Sequence, residues 1–355
     1  MIYLDNNATT PILPKVVQAM LLDLDGIPRN PSSVTFYGRD GREKIIESRK
    51  SIAKYFGVLP EEVYFTSGGT ESNHMLIQGF YKRKGGSIVS SPLEHPSVLE
   101  ALKPYHPSFI LPSLASIEEA LLQKKPSMLV LSGANTETGV MLPLKEVSHL
   151  CEQYKVPLIM DGVGLLGKVS LSPLPKGVAA ISFSGHKCHG PKGIGLAIIR
   201  KEYKIPPIFR GGHQERDMRA GTENLSGILG LAKAISLIDP TTFIQMQNLR
   251  DDFEKRLLTQ FPHFQINGTN PRLPNTSNIY FQGICAETLL IKLDQKGVIA
   301  SLGSACSSGT LAPSHVLLAM GYTKDRALSS LRFSLSRLTT QSDIDKSLAI
   351  IVSSL

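Results

Sequence analysis

Cysteine is scarce in this 355-residue chain, and long apolar runs and segregated charge are missing. The four cysteines, Cys151, Cys188, Cys285 and Cys306, show no paired spacing. That argues against a disulfide framework or a zinc site and for reduced thiols. No apolar run is long enough to span a bilayer, so no membrane partner is expected. The start, Met1-Ile2-Tyr3-Leu4-Asp5, lacks the basic and apolar stretches of a secretory signal, and a cytoplasmic location is expected. The formal charge is +8, yet basic residues alternate with acids, as in Arg42-Glu43-Lys44. With no basic arm and no nucleic-acid motif, nucleic acid is not the expected partner. An anionic cofactor and a solvated basic surface fit better, with an acidic protein partner as a weaker alternative. No internal repeat or low-complexity tract is visible.

What is present is a chain long enough for two unequal domains. Helical spacing begins at Pro14 and again over Tyr37 to Phe56, stopping at Gly57. From residue 62, short apolar runs alternate with helical stretches. The runs are Val63–Thr66, Ser87–Ser90, Met128–Leu131, Pro157–Met160, Ala180–Phe183 and Leu196–Ile199. This pattern predicts an α/β fold with a mainly parallel central sheet covered on both faces. Ligands in such folds bind beyond the carboxyl ends of the strands. The remainder reads as a smaller α+β domain. The expected division is a large domain over 13–243, and a small one from 1–12 and 244–355 carrying a cysteine loop at about 301–312.

Polar segments follow several of those strands. Ser184-Gly185-His186-Lys187-Cys188-His189-Gly190 is a turn after a buried strand, where a desolvated lysine has a lowered pKa and forms a Schiff base with an aldehyde such as pyridoxal phosphate. In isolation a basic surface turn is the better reading. Ser67-Gly68-Gly69-Thr70-Glu71-Ser72-Asn73 joins a strand to a helix and offers N–H groups to a phosphate, or is only a helix start. Asp161 ends a strand and suits a pyridinium nitrogen, or caps a loop. His95 stacks on a flat ring or carries protons as a catalytic group, or is a packed or surface histidine. Arg332 forks onto a carboxylate or makes an ordinary ion pair. Cys306 stands among small polar residues and glycines, the setting of an accessible nucleophilic thiol, whereas Cys285 has the apolar neighbours of a buried one. Cys188 reads as packed.

Together these segments resemble the cysteine desulfurases of the NifS/IscS type, within the class V aminotransferase fold. The resemblance runs from Leu4-Asp5-Asn6-Asn7-Ala8-Thr9-Thr10-Pro11 through Asn30-Pro31-Ser32-Ser33, the Ser67 and Lys187 segments, Ala220-Gly221-Thr222-Glu223-Asn224 and Gly303-Ser304-Ala305-Cys306 to Arg332-Phe333-Ser334-Leu335-Ser336-Arg337. It implies a PLP-dependent transferase of fold type I and a homodimer. By that resemblance Lys187 carries the cofactor, Asp161 pairs with the ring nitrogen, and His95 stacks on the ring. Gly69, Thr70, Ser184 and His186 would hold the phosphate, with Thr222 reaching in from the second subunit. Arg332, Asn135 and Asn7 would bind L-cysteine. Cys306 would take its sulfur as a persulfide, release alanine, and pass the sulfur to an acceptor for iron–sulfur assembly or thiolation. At the level of the group, the resemblance also allows a transient contact of Cys306 with an iron–sulfur cluster, the one metal contact it implies.

The sequence departs from the group at the cofactor edge. Gly164 stands where a glutamine donates to the ring oxygen, and Thr136 replaces a cofactor-contacting asparagine. His213 and Thr35 also depart, the latter from a histidine. The expectation is retained cofactor binding with slowed or altered turnover. The alternatives are a lyase for selenocysteine or another amino acid, and a catalytically weak scaffold that binds the cofactor.

Overall fold

The computed structural model describes residues 1–303 and 312–355. Cys306 lies outside the described residues. The chain forms two compact units, one from Pro11–Gly133 and Leu142–Ile238, the other from Met1–Thr10, Ala134–Met141 and Asp239–Leu355. Its described strands are, in order, β1 (Ile2–Tyr3), β2 (Val63–Thr66), β3 (Ile88–Ser90), β4 (Ser108–Phe109), β5 (Met128–Ser132), β6 (Leu158–Asp161), β7 (Val178–Ser184), β8 (Gly195–Ile199), β9 (Gln265–Ile266), β10 (Thr276–Tyr280), β11 (Val298–Ile299) and β12 (Ser330–Ser334).

The larger unit holds a seven-stranded sheet in the order β2-β8-β7-β6-β5-β3-β4. β7, β6, β5, β3 and β4 run parallel, and β8 is antiparallel to both β7 and β2. The mainly parallel sheet expected from the apolar runs is therefore present. Every residue of β6, β7 and β8 is buried, as continuous apolar strands require when helices cover both faces. Met75, Leu76 and Phe80 of the helix Gly69–Lys84 pack with Val98, Val130, Ile159 and Ala180. Burying a side chain of this size contributes about 1.5–3 kcal/mol. The helix Phe36–Phe56 starts where Thr35 Oγ1 accepts from Gly38 N at 3.2 Å, and ends at Gly57 with φ +63°. The departure at Thr35 thus has a local use as a helix cap. β4 was not foreseen; both its residues are exposed, so no apolar run marks it.

In the smaller unit β10 lies between β12 and β9, antiparallel to each, and β1 pairs parallel with β11. Leu4, Phe253, Leu257, Ile279, Phe281, Leu331, Phe333 and Ile344 fill its core. Both chain ends thereby contribute to one core. Cys285 corrects an expectation. It is exposed, because it stands at the N-cap of the helix Ala286–Gln295 and only the inward face of that helix is buried.

Candidate active site

In the larger unit, the polar residues at the carboxyl ends of the parallel strands form one buried network. β6 ends in Asp161, which is 8% exposed. Its Oδ1 accepts from Val163 N at 2.9 Å and its Oδ2 from Asn73 Nδ2 at 2.9 Å. Asn73 lies on the buried face of the helix Gly69–Lys84 and also donates to Ser97 Oγ at 3.0 Å, while Ser182 of β7 donates to Asn73 Oδ1 at 2.5 Å. Ser97 Oγ is 2.8 Å from His95 Nδ1, and Ser97 N donates to the same nitrogen at 3.1 Å. His95 and Asp161, 66 positions apart, are thus joined through Ser97 and Asn73. His95 itself is exposed, so its ring presents a face to solvent while Nδ1 is anchored.

Glu94, next to His95, is buried and takes hydrogen bonds from Ser132 N at 3.0 Å and from the Ser132 hydroxyl. Burial pushes its carboxyl up to about 8, opposed by the Ser132 bonds and reinforced by Asp161. Burial thus favours its protonated form.

β7 runs directly into the Lys187 segment. Gly185 N donates to Ile194 O at 3.0 Å, and Cys188 N and Gly190 N both donate to Gly185 O. Lys187 and His186 are half-buried on this turn, and Cys188 is buried as expected, its thiol pushed up to about 12 by burial. His186 is pushed down to about 4, first by burial and then by Lys187, Lys192 and Lys168. The three lysines add positive charge around this turn, a setting that suits an anionic group.

Gly69 begins its helix against this turn. A Cβ built there would lie 2.8 Å from Val163 Cγ2 and 3.6 Å from Ser184 Cβ. Gly69, Val163 and Ser184 therefore meet in a cradle that a side chain would fill. Thr70, one residue on, is exposed in the first turn. Gly164 is buried, and Asp161, Ser184 and Gly69 all lie near Val163 beside it. These features fit pyridoxal phosphate: a buried carboxylate for a ring nitrogen, a glycine cradle at a helix start, and a cationic turn holding a lysine. Thr222 lines a separate cavity of about 120 Å³ with Ser67, Arg219 and Glu223.

The smaller unit holds the expected substrate residues. Arg332 of β12 is 2% exposed; its Nη2 donates to Asp5 Oδ1 at 2.7 Å and its Nη1 to Thr136 O at 3.3 Å. Among the described residues its Nε has no hydrogen-bond partner, an orphaned donor that suits a carboxylate. Asn7 donates to Thr136 O at 2.9 Å and to Thr276 Oγ1 at 2.8 Å, and accepts from Asn275. Asn135 Oδ1 accepts from the backbone of Glu137 and Thr138, closing the turn that presents the Thr136 carbonyl. Arg332, Asn7 and Thr136 are brought together through that carbonyl.

Residues 2–346 match the aminotransferase class-V family. The chain belongs to this family. Among its class-V relatives, a cysteine desulfurase of Trichormus azollae is 38% identical over 361 residues, covering 97% of this chain and 90% of the relative. The cysteine desulfurase IscS of Dictyoglomus turgidum is 38% identical over 370 residues, covering 99% and 93%. The crystal structure of a NifS-like protein from Rickettsia africae superposes with a TM-score of 0.89 at 31% identity, covering 100% of this chain and 99% of that one. The class-V resemblance drawn from the sequence is correct, and so is its fold.

Glu94, Ser97, Ser132 and Ser182 went unread in the sequence, and Asn73 was read only as part of a helix start. Single serines and an acid before a histidine carry no spacing signal; only the fold joins them. Among the described residues, no group of three or more His, Cys, Asp or Glu side chains is placed to hold a metal ion.

Proposed function

We propose that this class-V protein is a pyridoxal phosphate-dependent cysteine desulfurase that converts L-cysteine to L-alanine and passes the sulfur to an acceptor. The observation that carries the reading is the likeness to cysteine desulfurases along 97% or more of the chain. Bound pyridoxal phosphate supplies an electron sink for negative charge at the substrate Cα. Lys187 would hold the cofactor through Nζ and then carry the Cα proton. Asp161 would keep the ring nitrogen protonated, and Gly69, Thr70, Ser184 and His186 would bind the phosphate. Arg332, with Asn7 and Asn135, would fix the substrate carboxylate. The Cys306 thiolate would bond to the substrate sulfur as the carbon–sulfur bond breaks, leaving a persulfide.

We further propose a homodimer in which Thr222 completes the phosphate site of the second copy, a cytoplasmic location, and delivery of the sulfur to iron–sulfur assembly or thiolation. No single helix among the described residues is long and apolar enough to cross a membrane. Gly164 offers no side-chain donor to the ring oxygen. A missing neutral hydrogen bond of this kind costs about 0.5–1.5 kcal/mol, less than a covalent attachment and a phosphate site supply, so the cofactor is held.

The test is sulfide and alanine production from L-cysteine by wild type beside Cys306→Ala. Turnover that vanishes in the variant supports the reading; bound cofactor without turnover in wild type overturns it. Borohydride reduction and peptide mapping place the cofactor, and an unmodified Lys187 would sink that assignment.

A further inference from the structure

We infer that Ser97 and Asn73 are positioning residues that lock His95 as a neutral imidazole with its proton on Nε2, making it a hydrogen-bond donor and not a base. The geometry stands by itself; its meaning for turnover rests on the desulfurase reading above.

The chain of donors has one consistent solution. The Asp161 carboxylate only accepts, so the Asn73 atom 2.9 Å from Oδ2 is the amide nitrogen, and its orientation is fixed. Ser182 Oγ then donates to the remaining amide oxygen. The second Asn73 N–H points to Ser97 Oγ, which accepts it. Ser97 has one hydroxyl proton left, and the atom beside it is His95 Nδ1 at 2.8 Å. Ser97 N donates to the same nitrogen, as the cap of the helix Pro96–Leu102. Two donors converge on Nδ1, so Nδ1 carries no proton and the imidazole proton sits on Nε2.

The network is well protected. Asn73 is 3% exposed, Ser182 0%, and Asp161 and Ser97 8% each. Reversing any one bond leaves a buried polar atom unpaired. Protonating Nδ1 would set N–H against both Ser97 donors and reverse the chain as far as Asn73. The lone pair on Nδ1 is therefore unavailable, and Nε2 has none to offer. Among the described residues, the ionisable groups tied to this network are Asp161 from β6 and, one residue before His95, Glu94, which is hydrogen-bonded to Ser132 at the end of β5. Proton abstraction at the substrate Cα then falls to Lys187, while His95 contributes a ring face and an Nε2 donor.

The test is histidine-selective nitrogen-15 spectroscopy of the holoenzyme, assigned with His95→Asn. Wild type should show the Nε2–H neutral tautomer for His95 from pH 6 to pH 9. Ser97→Ala removes one of two donors, so the imidazolium should appear with a midpoint about 0.5–1 pH unit higher than in wild type. Ser97→Thr, which restores a hydroxyl, should return the midpoint to the wild-type value. Observing Nδ1–H or an imidazolium in wild type across that range overturns the inference, as does a Ser97→Ala midpoint that does not rise. Because tautomer and turnover are read separately, a wild type with the expected tautomer but no desulfuration sinks the functional reading and leaves this inference standing.

Discussion

Arg332 Nη2 donates to Asp5 Oδ1 at 2.7 Å, so the arginine proposed to hold the substrate is itself held by the start of the chain. The arginine side chain is buried, 3% exposed, and the aspartate side chain is partly buried, 15% exposed. Asp5 and the Thr136 carbonyl fix the guanidinium plane while Nε stays without a partner among the described residues.

Arg332→Lys keeps the charge and loses the planar fork. Charge-assisted bonds contribute about 1.5–3 kcal/mol, so KM for L-cysteine should rise about ten- to hundred-fold. Cofactor absorbance should stay unchanged. Steady-state kinetics check this; an unaltered KM would remove Arg332 from the substrate site.

Two groups, Glu94 buried and His186 half-buried, act on stability with opposite signs. Glu94 is raised from 4.5 to about 8, so between those values the folded state holds a proton that the unfolded state has lost, and stability falls as pH rises. His186 is lowered from 6.5 to about 4, so in that window the unfolded state binds the extra proton, and stability falls as pH drops. Between about pH 4.5 and 6.5 the two effects oppose each other; Glu94→Gln preserves an acceptor for Ser132 N and should flatten the decline toward pH 8 while exposing the His186 decline on the acid side. Urea unfolding at stepped pH measures both limbs.

Gly303 has φ +109°, and a Cβ there would stand 2.7 Å from Glu137 Oε1. Glu137 is buried, and burial raises its carboxyl, with Ser314, Arg332 and His315 drawing it back. Gly303→Ala therefore meets both backbone strain and a carboxylate and should cost about 1–3 kcal/mol in stability. Since Gly303 is three residues before Cys306, persulfide yield per bound cofactor should fall with it. Mass spectrometry of the persulfide beside cofactor absorbance separates the two effects.

In a Cys306→Ala background three thiols remain to be distinguished. Cys285 is exposed, and Thr288, through its backbone N–H and its hydroxyl, lowers its pKa. Burial pushes Cys151 and Cys188 up to about 12. Iodoacetamide at neutral pH should label Cys285 in the native protein and reach the other two only after unfolding.

The strands β5 to β8 were legible because strands covered on both faces write themselves as unbroken apolar runs. Lys187, Asp161 and Gly69 were legible because each follows such a run, at the end where ligands bind. β4 was not, being two exposed residues at a sheet edge. Nor was the grouping of Ala134–Met141 with the chain ends, which depends on pairings such as Val140 with Arg272. Cys285 was misread because apolar neighbours on a helix do not bury the residue that caps it. Ser97 and Asn73 were invisible as a pair because a hydrogen bond between residues 24 positions apart leaves no period in the sequence.

β8 runs against β7, and that orientation governs where change can be tolerated. A parallel partner would need a crossover helix; an antiparallel one lets the connection between Ser184 and Gly195 close on itself, with those two residues in register. Lys187 therefore rides a clasp fastened at both ends, not a tether. β8 is held in register by β7 on one side and β2 on the other, so a change in length here has to be absorbed within residues 185–194 themselves. The amine's location is thereby inherited from the sheet: the two strands that flank its turn fix where the turn can lie.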